Sequence, residues 1–428
     1  MQPRIPPPPA ATDANVLLLP ADKLHKRAWL TVALLWSAAG LNYIDRLMIT
    51  TMRGSVKEAI PMTDAQFGLL TTMFLLVYAG LSPFAGYFAD RFNRSRVIIG
   101  SLFVWSLVTW LTAYAKTYEQ LLVTRVLLGI SQAACMPASV ALVVDYHRGP
   151  TRSLASGLLL SGAMAGGALS GIGGWFAEHH GWGYAFSVFG FVGIGVSIVL
   201  LFLLRDPPAA ETPARASASE PRVGLGEAFA SLFTNRSYLV MVVFACVLGV
   251  VSWSVTGWMP TYIKEHFNLS QGVAGLYTTV SLNIAALVGL LVGGAWADRW
   301  SRTNERARIL VPMIGLSLAA PAVLLIANTH LLPFALAGLV GYGMARLFAD
   351  ANMMPMYCLI TDPRHRATSW GITTFFSSGV GGLGIYAGGV LRDRNVDISR
   401  IFQFGAANLL VCAALLLLIR PRPQAAAP

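Results

Sequence analysis

The run from Trp29 to Met52 constrains this chain most, because it is apolar over 24 residues and yet contains an adjacent acid and base. About 20 apolar residues, at ~1.5 Å each in a helix, cross a bilayer. Asp45 and Arg46 lie past the midpoint of this run. A charge at the membrane centre costs roughly 2.5–3.5 kcal/mol on insertion scales. We therefore expect both side chains to face charged partners or a water-filled cavity, and not lipid.

Apolar runs recur along the whole chain. Hydrophobic residues make up 55% of the 428 residues and charged residues only 12%, about half the ~25% charged fraction of soluble domains. The composition predicts an all-α membrane protein with twelve transmembrane helices, and the lipid bilayer is its expected partner. The net charge of +11 does not indicate nucleic-acid binding, because the basic residues lie in short loops between the spans.

Cofactor chemistry has no support in the sequence. The four cysteines lie within apolar runs and have no C-x-x-C spacing. The sequence contains neither a nucleotide-binding loop nor a cluster of metal-ligating residues, so we expect no metal, no cofactor and no enzymatic activity.

The predicted spans form two sets of six, separated by the longest polar connection in the chain. This connection is rich in proline, alanine and serine, which is typical of a linker. The predicted divisions are a disordered cytoplasmic tail (1–22), an N-terminal six-helix bundle (23–204), a cytoplasmic linker (205–236), a C-terminal six-helix bundle (237–420) and a short tail (421–428).

The distribution of basic residues predicts the orientation. Of the 31 lysines and arginines, 21 fall on the side of both termini and 7 on the opposite side. The positive-inside rule therefore puts both termini in the cytoplasm of a multi-pass protein of the cytoplasmic (inner) membrane. The remaining three are Arg46, Arg125 and Arg346, which lie inside predicted spans.

An internal repeat relates the two sets of spans. Gly86, Asp90 and Arg91 follow the second span, and Gly294, Asp298 and Arg299 follow the eighth, with the two aspartates 208 residues apart. A second matched pair of segments, 152–157 and 366–371, is separated by 214 residues. Because each half has an even number of spans, the two halves have the same orientation and are related by an axis along the membrane normal.

The segment from Gly86 to Arg96 resembles the loop between helices 2 and 3 of the major facilitator superfamily, and its second copy resembles the same loop. Within that family, residues 42–46 and 125–129 are similar to the anion:cation symporter branch and to its Spinster-like neighbours. The resemblance covers residues 28–419. It implies a secondary transporter with two pseudo-symmetric bundles and a site near the membrane midplane, and we expect a monomer.

Charged residues inside the spans predict the ligand. Three arginines and two aspartates, Asp45 and Asp350, leave one positive charge in excess. A guanidinium group suits a carboxylate or phosphate through its two parallel donors. Arg346 and Asp350 are spaced i, i+4 and can pair on one helical face. The alternative is that each aspartate neutralises an arginine and only joins helices, which leaves the third arginine unexplained.

The resemblance assigns roles to these residues. It implies that Arg46 contacts the substrate anion and that Asp45, beside Arg125, takes part in proton coupling. Transporters of this branch carry a glutamate where this chain has Gln132, so one proton site of the branch is missing and Asp350 is the other candidate. A single proton per cycle, or a different coupling, remains open.

Other polar and aromatic residues complete the predicted site. The predicted substrate-binding residues are Asn42, Tyr43, Arg46, Arg125, Gln132, Trp253, Asn283 and Arg346. The resemblance also implies a gating role for the loop aspartates, which dock the two halves, with Asp145 paired to Arg91 or Arg94. The predicted gating residues are Gly86, Asp90, Arg91, Arg94, Asp145, Asp298 and Arg299.

The sequence therefore predicts proton-coupled symport of a small organic anion, such as a sugar acid or another carboxylate, by alternating access. Three alternatives stay open. A Spinster-like lipid or lysolipid carrier would need an apolar extension of the cavity beyond Arg46. A drug/proton antiporter would present acids to cationic compounds, which the excess of arginine disfavours. A membrane receptor built on a transporter scaffold would not need the duplicated gating loops.

Overall fold

The computed structural model describes residues 21–147, 151–207, 231–362 and 365–419, and within them the side chains other than those of 21–25, 83, 85–91, 366 and 367. Within these ranges the chain is α-helical, with short connections and no strand. The all-α prediction is confirmed.

The N-half, residues 21–207, contains nine described helices. They are α1 (Ala21–Thr51), α2 (Arg53–Ala59), α3 (Asp64–Arg91), α4 (Arg94–Thr112), α5 (Tyr118–Gln132), α6 (Cys135–Tyr146), α7 (Arg152–Leu169), α8 (Ile172–His180) and α9 (Trp182–Leu203).

The C-half, residues 231–419, contains six long helices. They are α10 (Arg236–His266), α11 (Gln271–Trp300), α12 (Ala307–Asn328), α13 (Leu332–Ile360), α14 (Arg366–Asp393) and α15 (Ile398–Leu417). Of the predicted linker and tails, residues 208–230, 1–20 and 420–428 lie outside the described residues. The predicted domain boundaries therefore stay a prediction.

Within the described chain, eleven helical segments are long and apolar enough to cross a membrane. Two of them are broken spans, α5 with α6 and α7 with α8. Helix α1 is not among the eleven, although it has 31 residues. Its sequence includes Asn42, Asp45 and Arg46, which lower its apolar content. With α1 counted, the structure is consistent with the predicted twelve spans.

The outer surface of the bundle is apolar. Large hydrophobic side chains such as Phe202, Phe404 and Leu291 are more than half exposed. An exposed apolar belt around a helical bundle is a surface for lipid, because the helices satisfy their own backbone hydrogen bonds.

The two halves have the same internal packing. In the N-half α1 packs on α7, α3 on α5 and α4 on α9. In the C-half the equivalent helices pack in the same pairs, α10 on α14, α11 on α13 and α12 on α15. The sequence repeat therefore corresponds to a repeated bundle. The halves meet through α3 against α14, and through α7 and α8 against α11.

Two equivalent hydrogen bonds join the halves. Thr72 Oγ1 donates to the main-chain oxygen of Gly382 at 2.6 Å, and Thr279 Oγ1 donates to that of Ala168 at 2.8 Å. The threonines are 207 residues apart and their acceptors 214 apart, which are nearly the spacings of the sequence repeat. Small residues permit this approach, because a Cβ added to Gly68 would lie 2.9 Å from the main-chain oxygen of Ile385.

Candidate substrate site

A cavity of about 240 Å³ lies between the two halves. It is lined by α1 and α7 from the N-half and by α10, α11 and α13 from the C-half. Its polar and aromatic lining includes five of the predicted site residues, namely Tyr43, Trp253, Asn283, Arg346 and Asp350. An interface between pseudo-symmetric bundles is where transporters of this architecture bind their substrates.

One ion pair lies on the wall of this cavity. Arg346 Nη2 is 3.1 Å from Asp350 Oδ2, and the two side chains are 21% and 35% exposed. The i, i+4 spacing on α13 places both on one helical face. Arg346 Nε has no hydrogen-bond partner in the described chain. Asp350 therefore engages only part of the guanidinium group.

Tyr43 and Asn283 face the cavity from opposite halves. Asn283 Nδ2 donates to the main-chain oxygen of Thr279 at 2.9 Å, which fixes the amide on α11. Tyr43 is half-buried, and its ring centre lies 4.9 Å from the guanidinium carbon of Arg46. It lines the same cavity as Arg346 and Asp350. Tyr43 thus contacts the buried arginine of the N-half and shares the cavity with the arginine of the C-half.

Arg46 is held by aromatic rings. Its guanidinium carbon lies 4.9, 5.0 and 4.6 Å from the ring centres of Tyr43, Phe74 and Tyr78, a cation–π arrangement. Nη2 donates to Asn42 Oδ1 at 3.2 Å, and Nε has no hydrogen-bond partner in the described chain. Arg46 is only 6% exposed, and none of these neighbours carries a negative charge.

Asp45 points to a different set of helices. Trp105 and Thr109 of α4 and Arg125 of α5 lie beside its carboxylate. Arg125 Nη1 donates to the main-chain oxygen of Asp45 at 3.5 Å, and Nη2 donates to Thr112 Oγ1 at 3.4 Å. Both charged residues are buried. The acid and base are therefore neighbours, and the hydrogen bond between them uses the backbone of Asp45.

Gln132 is buried at the end of α5, where the fourth span breaks. Neither atom of its amide group has a hydrogen-bond partner in the described chain, and neither does Asn42 Nδ2. A buried amide without partners is energetically costly, so these groups are available to a polar ligand or to water.

The three arginines predicted to bind the substrate have different surroundings in this structure, and their roles stay a prediction. Of the three, Arg346 lines the cavity. Arg46 lies behind Tyr43, because the aromatic rings of α1 and α3 hold its guanidinium group. Arg125 lies beside Asp45. Asn42, Asp45 and Gln132, which were predicted beside the ligand or its proton, are likewise absent from the cavity lining.

The predicted gating residues have mixed surroundings. Arg94 forms an ion pair with Asp145 inside the N-half. Asp298 is 72% exposed and lies 3.3 Å from Arg308 of its own half, and Arg299 is exposed. The side chains of Gly86, Asp90 and Arg91 lie outside the described residues. The docking of the halves by the loop aspartates therefore stays a prediction.

A cluster of charged residues that the sequence analysis did not predict lies at the end of the bundle opposite the predicted gating loops. We call this end the Asp64 end. The cluster consists of Arg53, Lys57, Asp64, Glu265, Arg392 and Asp393. These residues lie at the ends of spans 1, 2, 7 and 11. The sequence did contain a signal for this cluster, because acidic and basic residues recur just outside the ends of these four spans.

The cluster joins the two halves. Asp64 of α3 accepts from Arg53, from Lys57 at 2.5 Å and from Arg392 Nε at 2.8 Å. Glu265 of α10 accepts from Arg53 Nη1 at 3.0 Å and from Arg392 Nη1 at 2.9 Å. Where the structure describes both side chains, the ion pairs between the halves all lie at this end.

Each half also caps a helix of the other. Asp393, at the end of α14, accepts from the backbone N–H groups of Asp64 and Ala65 at 2.8 and 2.9 Å, at the start of α3. Glu178, near the end of α8, accepts from the N–H of Gly272 at 2.9 Å, at the start of α11. A carboxylate stabilises a helix N-terminus through its unpaired N–H groups and its dipole. The Asp64 end is thus closed by two equivalent caps between the halves.

Relatives of the chain are transport proteins. It is 26% identical over 402 residues to an MFS-type efflux pump of Mycolicibacterium smegmatis, covering 91% of this chain and 90% of that protein. It is 30% identical over 290 residues to a probable sulfoacetate transporter of Cupriavidus necator, covering 64% of this chain and 66% of that protein.

The fold matches a solved structure. The crystal structure of a bacterial homologue of the human lysosomal transporter Spinster, in an inward-facing and unoccupied conformation, superposes with a TM-score of 0.72 over 92% of this chain and 95% of that chain, at 22% identity. Residues 35–385 match the family model of the Major Facilitator Superfamily. The chain is therefore a multi-pass membrane protein that belongs to the Major Facilitator Superfamily, a family of transporters and not of enzymes.

Proposed function

We propose that this chain is a secondary active transporter that carries a small organic anion together with protons by alternating access. The observation that carries the proposal is the state of Arg46. It is a buried cation next to the central cavity, and its described neighbours are three aromatic rings and an amide. A buried guanidinium without a carboxylate is a binding group for an anion.

The charges of the site support an anion as the ligand. Asp350 pairs with Arg346, and Asp45 lies beside Arg125. Arg46 is the remaining cation. The relative named as a probable sulfoacetate transporter supports the same chemical class, because sulfoacetate is a small organic anion.

Proton coupling is proposed through Asp45. Burial and a nearby guanidinium act in opposite directions on the proton affinity of a carboxyl group. A change of access that alters either one therefore loads or releases a proton. When the anion and the proton together are neutral, the membrane potential does no work on them and the pH difference drives accumulation. One proton moving down about 1.7 pH units supplies roughly 2.3 kcal/mol, which corresponds to about fifty-fold accumulation of the anion.

The direction of opening follows from the proposed orientation. With both termini in the cytoplasm, the Asp64 end faces outward, and its ion pairs and caps close the outer side. We therefore propose that this conformation is the inward-facing one of the cycle. The proposed location is the plasma membrane.

A second candidate function is drug/proton antiport. Asp350 is partly exposed in a cavity that Tyr43 and Trp253 also line, and a cavity with an acid and aromatic rings also suits an organic cation. The efflux pump of Mycolicibacterium smegmatis is a relative. The carboxylate is already paired with Arg346, so the anion is the better supported ligand.

Counterflow in proteoliposomes tests the proposal. Vesicles containing the purified protein are loaded with unlabelled sulfoacetate, and entry of labelled sulfoacetate is followed, with labelled D-glucarate and ethidium in parallel. Entry of either anion, competed by other organic anions, is the expected result. Counterflow of ethidium without that of any anion would establish the antiporter instead, and the absence of all counterflow would exclude both.

A further inference from the structure

We propose that Arg346 and Tyr342 form a second acid-binding subsite in the central cavity, so that the transported anion carries two acidic groups, one for each half of the protein. In this structure Asp350 pairs with Arg346 at this subsite. The inference rests on the proposed function, since it divides the anion site into an Arg46 end and an Arg346 end.

The donors of the subsite come from successive turns of α13. Tyr342 and Arg346 are spaced i, i+4 and both line the cavity. Tyr342 is only 3% exposed, and its hydroxyl has no hydrogen-bond partner in the described chain. The Ser252 hydroxyl lies beside it and donates to the main-chain oxygen of Leu248 at 2.7 Å, but no hydrogen bond of good geometry joins Ser252 to the phenol. An unpaired phenol next to the unpaired Nε of Arg346 is a donor pair for an oxyanion.

Asp350 holds this place only loosely. It is the more exposed member of its ion pair, 35% against 21% for Arg346, and its closest contact is to Nη2. The charged and titratable groups that interact with it are Arg346 and Tyr342 of its own helix and Tyr43 of α1. A ligand carboxylate that reaches Nε and the Tyr342 hydroxyl therefore competes with Asp350 for the same cation.

The second acidic group follows from the position of Tyr43. Its ring centre lies 4.9 Å from the guanidinium carbon of Arg46 of the N-half, and it lines the same cavity as Arg346 of the C-half. A molecule with an acid at each end would bridge two cations that belong to the two moving halves. It would then stabilise the state in which the halves close around it, because both cations bind one molecule.

The size of the cavity limits the ligand. Its volume of about 240 Å³ is below the roughly 300–1,000 Å³ of pockets for drug-sized ligands. A compact diacid fits this space better than an acyl chain does.

Matched acids test the subsite. D-Glucarate and D-gluconate differ in one terminal carboxylate, and both would be tested as competitors of labelled sulfoacetate counterflow. We expect the wild-type protein to prefer glucarate over gluconate by at least tenfold. In Arg346→Gln this ratio should fall to about one, through weaker inhibition by glucarate and little change for gluconate. The ratio does not depend on the amount of folded protein.

Two further variants separate binding from folding. Tyr342→Phe keeps the ring and removes one donor, and it should lower the glucarate preference about threefold. Asp350→Asn removes the resident competitor, and it should strengthen glucarate inhibition at least threefold. A structural role of Asp350 would give the opposite sign, because Arg346 would lose its support.

Failure of the subsite differs from failure of the proposed function. Equal inhibition by the two acids in the wild-type protein, or a ratio unchanged in Arg346→Gln, would refute the subsite while sulfoacetate counterflow itself upholds anion transport. No counterflow of any anion by the wild-type protein would refute both.

Discussion

The arginines next to the cavity have different surroundings in the two halves, although the helices of the halves pack in the same pattern. In the N-half, Arg46 is enclosed by aromatic rings and is 6% exposed. In the C-half, Arg346 lies on the cavity wall and is paired with Asp350. Among the cations next to the cavity, the duplicated scaffold thus carries a buried arginine in one half and a partly exposed ion pair in the other.

The difference indicates a division of tasks. Arg46 has aromatic rings and the Asn42 amide as neighbours, and its Nε has no hydrogen-bond partner in the described chain. In the proposed function this donor is available to an incoming anion, whereas Arg346 would exchange the carboxylate of Asp350 for that of the ligand. If the proposed function holds, we expect the first arrangement to contribute mainly to affinity and the second mainly to selectivity, because exchange has a smaller net free energy than a new charge-assisted contact.

The largest effect is expected at the buried Arg46. Arg46→Ala should weaken sulfoacetate binding about 100-fold, because a charge-assisted contact at a buried site contributes roughly 1.5–3 kcal/mol. Binding is measured by calorimetry on purified protein. Arg46→Lys is the matched control, which keeps the charge, loses the two parallel donors and should show an intermediate loss. Normal affinity in Arg46→Ala would place the anion elsewhere.

The next effect concerns the buried acid of the N-half. Asp45→Asn should retain counterflow and lose uphill uptake driven by an inside-alkaline pH gradient, because an amide cannot carry the proton. Accumulation of labelled sulfoacetate in proteoliposomes measures this. Wild-type accumulation in the variant would remove Asp45 from the coupling step.

A smaller effect is expected from the aromatic enclosure of Arg46. Tyr78→Ala removes the ring with the shortest cation–π distance, 4.6 Å, and should weaken anion binding about three- to fivefold because the guanidinium group becomes less ordered. Tyr78→Phe keeps the ring and should bind like the wild-type protein. Equal losses in both variants would indicate that the hydroxyl, and not the ring, is needed.

The smallest effect concerns the Asp64 end, where the halves again differ. Asp393 accepts two N–H groups and has Arg392 beside it in the ion-pair cluster, whereas Glu178 accepts one. A charge at a helix N-terminus contributes about 0.3–1 kcal/mol. Asp393→Asn should therefore raise the outward-open population about two- to fivefold, and Glu178→Gln should raise it less.

To measure this opening, the cavity residue Thr256 is replaced by cysteine in each variant, and its labelling by a maleimide added from outside is followed. Labelling of the chain without Thr256→Cys gives the background. The exposed Glu58 on the same face provides the control, Glu58→Gln. If Glu178→Gln opened the outer side more than Asp393→Asn did, the number of hydrogen bonds would not determine the strength of the two caps.

Much of the fold was accessible from the sequence because it depends on composition and repetition. The apolar runs predicted the spans, and the repeated Gly-x-x-Thr-Thr segments, which end at Thr72 and Thr279, lie at the equivalent contacts between the halves. The i, i+4 spacing of Arg346 and Asp350 placed them on one helical face, and the structure pairs them.

The rest depends on contacts between distant segments, which helical spacing does not define. Arg46 was predicted to contact the substrate, which stays a prediction, and its spacing on α1 gave no sign that Phe74 and Tyr78 of α3 enclose its guanidinium group. The caps at the Asp64 end pair Asp393 with Asp64 and Ala65 across 329 and 328 residues. Such pairs become visible only when both helices are placed.

The central claim is that an organic anion binds between a cation of each half. Calorimetric titration of D-glucarate into the wild-type protein and into Arg46→Ala, Arg346→Gln and the double variant tests this most directly. We predict micromolar to millimolar binding to the wild-type protein, a loss of affinity in each single variant, and no measurable binding to the double variant. Wild-type affinity in both single variants and in the double variant would contradict the account.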